Sequence, residues 1–231
     1  MKVNMGMIRK WIHRALGRHY ARRTRSHPGF MRDEYISLSV GDYDHWYYNR
    51  PQARAYLGDS RIWKNQADMI ECLNPVRVFE FGSGLGNLLA ECSKRGIDIV
   101  GSETSEYALR RSLSKSSILR IGEIPKVNLP FPDNSFDLIF SSEVMEHVTE
   151  EATVSVIREL SRVCSRHALF TINTFDADQP GHINMHPREW WLKEFEINGF
   201  RHNDELCARL NGMKYLQWDI YVLDKTGPHS R

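Results

Sequence analysis

The segment Val76-Arg-Val-Phe-Glu-Phe-Gly-Ser-Gly-Leu-Gly-Asn-Leu-Leu-Ala-Glu-Cys-Ser-Lys-Arg-Gly-Ile-Asp-Ile-Val-Gly-Ser-Glu-Thr-Ser105 decides how the rest of the chain is read. It opens on a short β-branched and aromatic run, Val76 to Phe81, and passes at once into Gly82, Gly84 and Gly86. A helical stretch over 85–95 follows, then a second strand, Asp98 to Gly101, with Glu103 just beyond it. Glycines between a strand and a helix allow a tight turn and let a ligand approach the backbone at the helix N-terminus. An acidic side chain after the next strand, 17 residues past Gly86, is placed to accept hydrogen bonds from a ribose diol.

The same alternation runs outward from this segment. Ile62, Trp63, Ala67, Ile70 and Leu73 share a helical face that Asn74-Pro75 ends. Further strands are predicted at 117–121, 136–140 and 168–173, and helices near 104–115, 150–164 and 187–198. Strands separated by helices of this length predict an α/β fold with a mostly parallel, doubly wound sheet covered on both faces. Two strand-like runs about Asn211-Gly212 predict a C-terminal antiparallel hairpin. Leu85, Leu88, Leu89, Val144 and Met145 read as packing residues, and Asp137, at the start of a strand, reads as structural.

Composition narrows the class. The chain has 231 residues, 41% hydrophobic and 26% charged, with 15 Gly and 9 Pro, which excludes global disorder and collagen-like repeats. Its formal charge of +2 conceals a division. Residues 1–32 hold nine basic side chains and no acidic one, whereas residues 33–231 hold 22 basic and 29 acidic. Ile8, Trp11, Ile12, Ala15 and Leu16 fall on one helical face of this basic arm. The domain division expected is 1–59, a basic amphipathic helical arm and aromatic-rich cap, and 60–231, the domain that carries the glycine turn. Residues 5–22 suit a contact with an anionic membrane surface or a partner protein, or a lid over the active site. The acidic body disfavours a nucleic-acid partner.

Cys72, Cys92, Cys164 and Cys207 are widely spaced, so neither a zinc ribbon nor a disulfide framework is expected. No stretch has the ~20 apolar residues of a spanning helix, and no secretory signal is expected near the start. A cytoplasmic location, with membrane association through the arm, follows as the expectation.

A dinucleotide fingerprint needs a third glycine at position 87, where this chain has Asn87. The spacing is instead Gly-x-Gly-x-Gly, with Glu80 two residues ahead of the first glycine. A carboxylate there would repel a pyrophosphate and suit a ligand carrying ammonium and sulfonium charge. At this point the sequence strongly resembles the class I S-adenosylmethionine-dependent methyltransferase family, with its Rossmann-like sheet. The stretch LPFPDNSFDLIFSSEVMEHV, residues 129–148, is similar to the fourth-strand region of that family's small-molecule branch. The resemblance covers roughly residues 60–223.

What the resemblance implies is an enzyme that uses S-adenosyl-L-methionine as cofactor. Glu80, Gly82, Ser83, Gly84 and Gly86 would hold the methionine end, Glu103 the ribose hydroxyls, and Ser141 the cofactor's methionine side. Glu123, in Gly122-Glu123-Ile124, would lie near the adenine. It departs from the family pattern in being Glu rather than Asp, and two extra residues separate Gly122 from Leu129.

An alcohol acceptor must lose a proton, so a base is needed, and His147 and His182 fall after strands where acceptor-side residues belong. Glu143, Glu146 and His147 have Glu-x-x-Glu-His spacing, expected on neighbouring turns of one helix. Some class I families bind a divalent ion on such a helix with a further histidine. That implies a Mg2+ or Mn2+ site at Glu143, Glu146, His147 and His182. The segment 181–200 resembles the acceptor side of methyltransferases in bacterial glycan and related pathways, with Trp190 and Trp191 available to stack on a sugar or to pack the helix. The expected activity is transfer of a methyl group to a hydroxyl of a small molecule, a sugar or glycan precursor. An RNA methyltransferase and a non-catalytic cofactor-binding module are the alternatives.

Overall fold

The computed structural model of the protein describes residues 45–114, 117–120, 128–175, 181–216 and 219–226. The basic arm, including residues 5–22, and Glu123 lie outside the described residues.

The described chain begins with two short helices, α1 (His45–Asn49) and α2 (Pro51–Gly58), followed by α3 (Ser60–Cys72). It then alternates: β1 (Val78–Phe81), α4 (Asn87–Lys94), β2 (Ile99–Glu103), α5 (Glu106–Arg111), β3 (Ile118–Arg120), β4 (Phe136–Ser142), α6 (Glu150–Val163) and β5 (Cys164–Ile172). The final part is α7 (Arg188–Ile197), β6 (Phe200–His202), α8 (Asp204–Met213) and β7 (Asp219–Lys225). Strand order is β3-β2-β1-β4-β5-β7-β6. The first five strands are parallel, and β7 runs antiparallel to both β5 and β6.

Apolar residues on both faces of the sheet explain the layers. Phe79, Phe81, Ile139 and Phe170 pack with Ala152, Val156, Leu160, Trp191 and Phe195 from α6 and α7. Val78, Leu138, Phe140 and Leu169 pack with Ile62, Ala67, Leu88, Cys92, Cys207 and Leu210 from α3, α4 and α8. Central parallel strands must bury both faces, which is why β1 reads as an almost continuous apolar run. Helix α3 is capped by the Asp59 side chain, which accepts from the Arg61 N–H, and beyond its end Asn74 adopts a φ of +47° ahead of Pro75. Asp137 accepts from the N–H groups of Val76 and Arg77 at 2.8 and 2.6 Å, fixing the entry to β1. Its role is structural, as expected from its position.

One expectation is overturned. Asn211 and Gly212 form no hairpin turn; they lie in the last turn of α8, which connects the antiparallel strands β6 and β7. The Asn203 side chain caps α8 by accepting from the Leu206 N–H, and Cys207 and Leu210 are buried three residues apart. A capped, amphipathic segment of ten residues outweighs a turn-forming dipeptide. The antiparallel end of the sheet survives the correction.

Candidate active site

The strand order reverses between β2-β1 and β4-β5, and the carboxyl ends of these strands frame a crevice. Glu80 occupies β1 with Gly101 of β2 on one side and Phe140 of β4 on the other. Only 5% of it is exposed. Burial, reinforced by the charge of Glu103, pushes its carboxyl up to about 8 against a smaller opposing hydrogen bond from Ser83. Its Oε2 is buried and has no hydrogen-bond partner.

The turn after β1 is tied to β2, with the N–H groups of Gly82 and Ser83 donating to the Ser102 carbonyl at 3.0 and 2.8 Å. Gly82 has φ +81°, and a Cβ there would overlap the Val144 methyls. Only glycine meets both conditions. Gly84 has its open side towards Tyr48, 3.9 Å from where a Cβ would be. Gly86 immediately precedes α4.

Glu103 holds this turn in place. Its carboxylate accepts from the N–H of Gly84 at 2.7 Å, of Thr104 at 2.7 Å and of Ser105 at 2.8 Å. Burial raises its carboxyl above the ordinary range, and these three bonds offset only part of that rise. The hydroxyls of Ser83 and Ser141 are turned into the sheet, donating to the carbonyls of Ser102 and Phe81 at 3.1 and 3.0 Å. They lock β1 to its neighbours.

The other end of the crevice is built differently. After Ser142 the backbone reverses at Glu143, with φ +56°, and enters a single 3-10 turn, Met145–His147. Glu143, Glu146 and His147 therefore do not share a helical face, contrary to the expectation from their spacing. Glu143 is half-buried, accepts a weak bond from Thr171 Oγ1 at 3.4 Å, and is pushed up to about 8 by burial and, more weakly, by Asp219. A chain of polar contacts runs behind it: Gln66 donates to Ser142 Oγ at 2.8 Å, and Ser142 and Thr171 hydroxyls meet at 2.7 Å.

Glu146 is fully buried. Its backbone carbonyl accepts from the N–H groups of Ile183 and Asn184, each at 3.0 Å, which brings the loop carrying His182 onto the 3-10 turn. One carboxyl oxygen accepts from the Asn173 N–H at 3.2 Å and the other has no partner. Burial and the nearby Glu143 raise its carboxyl well above the ordinary range.

His147 Nδ1 lies 2.8 Å from the Gly181 carbonyl. A carbonyl can only accept, so Nδ1 carries the proton and Nε2 keeps its lone pair. Burial, His182 and Arg50 hold the imidazole well below its usual pKa, so it is neutral at physiological pH. His182 packs edge-on to it with ring centroids 4.8 Å apart. Among the described residues, the donor atoms of Glu146, His147 and His182 all lie within 4.8 Å of one another, and Glu143 is not in this group. Trp191 is core, whereas Trp190 is partly exposed and stacks on His186 at 3.8 Å.

The aromatic-rich cap expected ahead of residue 60 has described residues that roof the crevice, though their individual contacts were not legible in the sequence. Tyr48 stacks on Tyr107 of α5, and Asn49 donates to the Tyr107 hydroxyl at 2.6 Å. Tyr47 packs edge-on to His147, and the guanidinium of Arg50 lies 4.0 Å from its ring centroid. The available signal was Arg50-Pro51 at the end of the aromatic run: a residue before proline is held extended, which separates α1 from α2. Arg50 has φ −61° and ψ 149°.

Comparison with known proteins agrees with this geometry. Residues 79–172 match a family model described as a methyltransferase domain. A ubiquinone biosynthesis O-methyltransferase of Rhodopseudomonas palustris is 29% identical over 105 residues, 43% of this chain and 41% of that one. A sterol 24-C-methyltransferase of Yarrowia lipolytica is 24% identical over 161 residues, 58% of this chain and 42% of that one. The chain thus spans under half the length of these two relatives. Among solved structures, magnesium protoporphyrin IX methyltransferase of Synechocystis with bound S-adenosylmethionine is similar, with a TM-score of 0.54 and 16% identity, covering 77% of this chain and 85% of that one. That likeness is one of fold.

Proposed function

We propose that this chain, which belongs to the class I S-adenosylmethionine-dependent methyltransferase family, binds S-adenosyl-L-methionine and methylates a hydroxyl of a small molecule such as a sugar or glycan precursor. The observation that carries the reading is the pairing, across one glycine turn, of Glu103 held by three main-chain N–H groups with Glu80 and its unpartnered buried oxygen. An ammonium group brought to Glu80 would be a partner for that oxygen and favour its ionised form. Glu103 keeps lone-pair capacity for a ribose hydroxyl beyond its backbone bonds.

The bound cofactor supplies a methyl carbon made electrophilic by the adjacent sulfonium. The chain's part is to align the acceptor, exclude water and take a proton. In this reading His147 Nε2 receives the acceptor hydroxyl's proton, with the tautomer set by Gly181, and His182 packs beside it and lines the same acceptor side. The O-methyltransferase among the relatives supports oxygen as the acceptor atom, while the sterol C-methyltransferase keeps carbon in the test. Among the described residues no helix is long and apolar enough to cross a membrane. The four cysteines are free thiols, which supports a reducing, cytoplasmic compartment.

Calorimetric titration tests the cofactor: S-adenosylhomocysteine should bind and NAD should not. Methyl-labelled cofactor offered with sugars, phenols, sterols and RNA then tests the acceptor. Label on RNA alone would favour the nucleic-acid alternative, and binding without transfer to any acceptor the non-catalytic one.

A second reading rests on the Glu146, His147 and His182 cluster, which fits a divalent ion that would orient the acceptor oxygen. Two imidazoles and one carboxylate suit Mn2+ or Zn2+ better than Mg2+, which prefers oxygen ligands. Activity lost on chelation and restored by Mn2+ or Zn2+ would support it; activity indifferent to chelators would remove it.

A further inference from the structure

Helix α3 buries one amide among hydrocarbon. Its inward residues include Ile62, Ala67, Met69 and Ile70, and among them Gln66 is only 1% exposed. An amide taken out of water is costly unless it is bonded, so its partners give the reason for its place. Gln66 Nε2 donates to Ser142 Oγ at 2.8 Å, and the Ser142 and Thr171 hydroxyls meet at 2.7 Å. Thr171 Oγ1 in turn donates to Glu143 Oε1 at 3.4 Å. A hydroxyl has a single proton to give. With the Thr171 proton directed to Glu143, the Thr171 oxygen accepts from Ser142, whose own oxygen accepts from Gln66. Donation therefore runs one way along the row and ends on a carboxyl.

The position of Glu143 shows what that carboxyl faces. It is the first residue after β4, and its φ of +56° turns it off the strand line into the crevice. Tyr56, on helix α2 behind the roof residues, is hydrogen-bonded to Ser142 and Gln66 and lies close enough to feel the Glu143 charge. From the sheet side Asp219, at the start of β7, acts on Glu143, which acts in turn on Glu146, the neighbour of His147. Glu143 thus stands between α2 and the sheet on the acceptor side, yet its oxygens do not join the Glu146, His147 and His182 group. Thr171 and the Asn173 side chain donate to it. A carboxylate has about four lone-pair sites, so two such donors leave capacity for a ligand.

We propose that Glu143 accepts a hydrogen bond from a second hydroxyl of the acceptor, adjacent to the one that is methylated, and that Gln66 is a positioning residue that holds Glu143 through Ser142 and Thr171. The proposal rests on the hydroxyl-methyltransferase reading and narrows its substrate class to vicinal diols and polyols. A lone alcohol on a hydrocarbon frame would press apolar surface on the Glu143 carboxyl, at the cost of a desolvated polar group. Gln66 lies outside the segment 79–172 that matches the family model.

The test offers methyl-labelled S-adenosylmethionine to the intact chain with cis-cyclohexane-1,2-diol or with cyclohexanol. Wild type should favour the diol about 10- to 100-fold in kcat/KM, the span of one hydrogen bond to a charged group. Glu143→Ala should bring the diol down to the level of the single alcohol, with S-adenosylhomocysteine still bound in calorimetry. Glu143→Gln should keep part of the preference, because its amide oxygen still accepts. Gln66→Leu should raise KM about threefold to tenfold more for the diol than for the single alcohol. Should both probes be refused, the acceptor labelled among sugars, phenols and sterols takes their place, set against its analogue without the adjacent hydroxyl. No preference in wild type, a preference that survives in Glu143→Ala, or a labelled acceptor with no hydroxyl beside the methylated one would each overturn the assignment. Equal rises for both acceptors in Gln66→Leu would leave Gln66 a merely structural role and overturn its part. Absence of transfer to every hydroxyl compound would bring down the hydroxyl reading itself, a separate result.

Discussion

The two ends of the crevice are held by different means. At the β1–β2 end the polar groups are secured by main chain: Glu103 by three N–H groups, and the glycine turn by the Ser102 carbonyl. At the β4–β5 end they are secured by groups distant in sequence, through main chain as well as side chains. Glu143 leans on Thr171, and the turn bearing Glu146 and His147 is fixed by residues 181–184. Backbone anchors tolerate no change of residue at the glycines. One end takes its geometry from a single strand-turn-helix-strand unit, whereas the other takes it from whichever loop is packed against it.

The largest expected effect breaks the acceptor end alone. His147→Ala should lower kcat by about 10²- to 10⁴-fold, the span of general base catalysis, with S-adenosylhomocysteine affinity unchanged in calorimetry. His182→Ala should be the milder of the two. A histidine variant that lost cofactor affinity as steeply as turnover would erase the distinction between the ends.

Gly82→Ala strikes the cofactor end. A residue forced to φ +81° against Val144 costs about 1–3 kcal/mol of strain. The displaced turn should reduce S-adenosylhomocysteine affinity by about 100-fold, equivalent to ~2.7 kcal/mol. Substitution of Glu103 by Ala comes next. It leaves three N–H groups, one buried and two partly buried, without that acceptor, which should lower unfolding free energy by about 1–3 kcal/mol in denaturant titration. Binding should fall about tenfold as the loop relaxes.

The smallest effect is a pH dependence. The Glu80 carboxyl is raised from 4.5 to about 8 in the folded chain, so its burial costs nothing below pH 4.5 and progressively more as pH rises to about 8. Without cofactor, the wild-type Tm should therefore fall across that window. Glu80→Gln should remove part of the fall, a gain of about 4 °C at pH 8 with none at pH 5. A Tm profile identical in both proteins would show that Glu80 is not the buried acid described here.

Much of the β1–β2 end was legible because its logic is local. Glu80, Gly82 and Gly84 are a few residues apart, and Glu103 follows one helix later, so their meeting is fixed by a single strand-turn-helix-strand unit. The β4–β5 end depends on contacts far apart in sequence. His147 and His182 are separated by an entire helix and strand, and nothing in their spacing says that Gly181 accepts the imidazole proton. Spacing misled at Glu143, whose positive φ takes it off the helix that its neighbours suggest. It misled again at Asn211-Gly212, where capping by Asn203 and burial of Cys207 and Leu210 made a helix.

The sequence by itself determined the alternation of strands and helices, the glycine turn and the acidic residue beyond it. These follow from periodicity and backbone freedom, properties that neighbouring residues carry together. Only the tertiary structure decided which carboxyls are buried, which hydroxyls face the sheet and which donors are left unpaired. Arg50 shows why: the sequence places a cation before a proline, but only packing against Tyr47 excludes the water that would otherwise satisfy it.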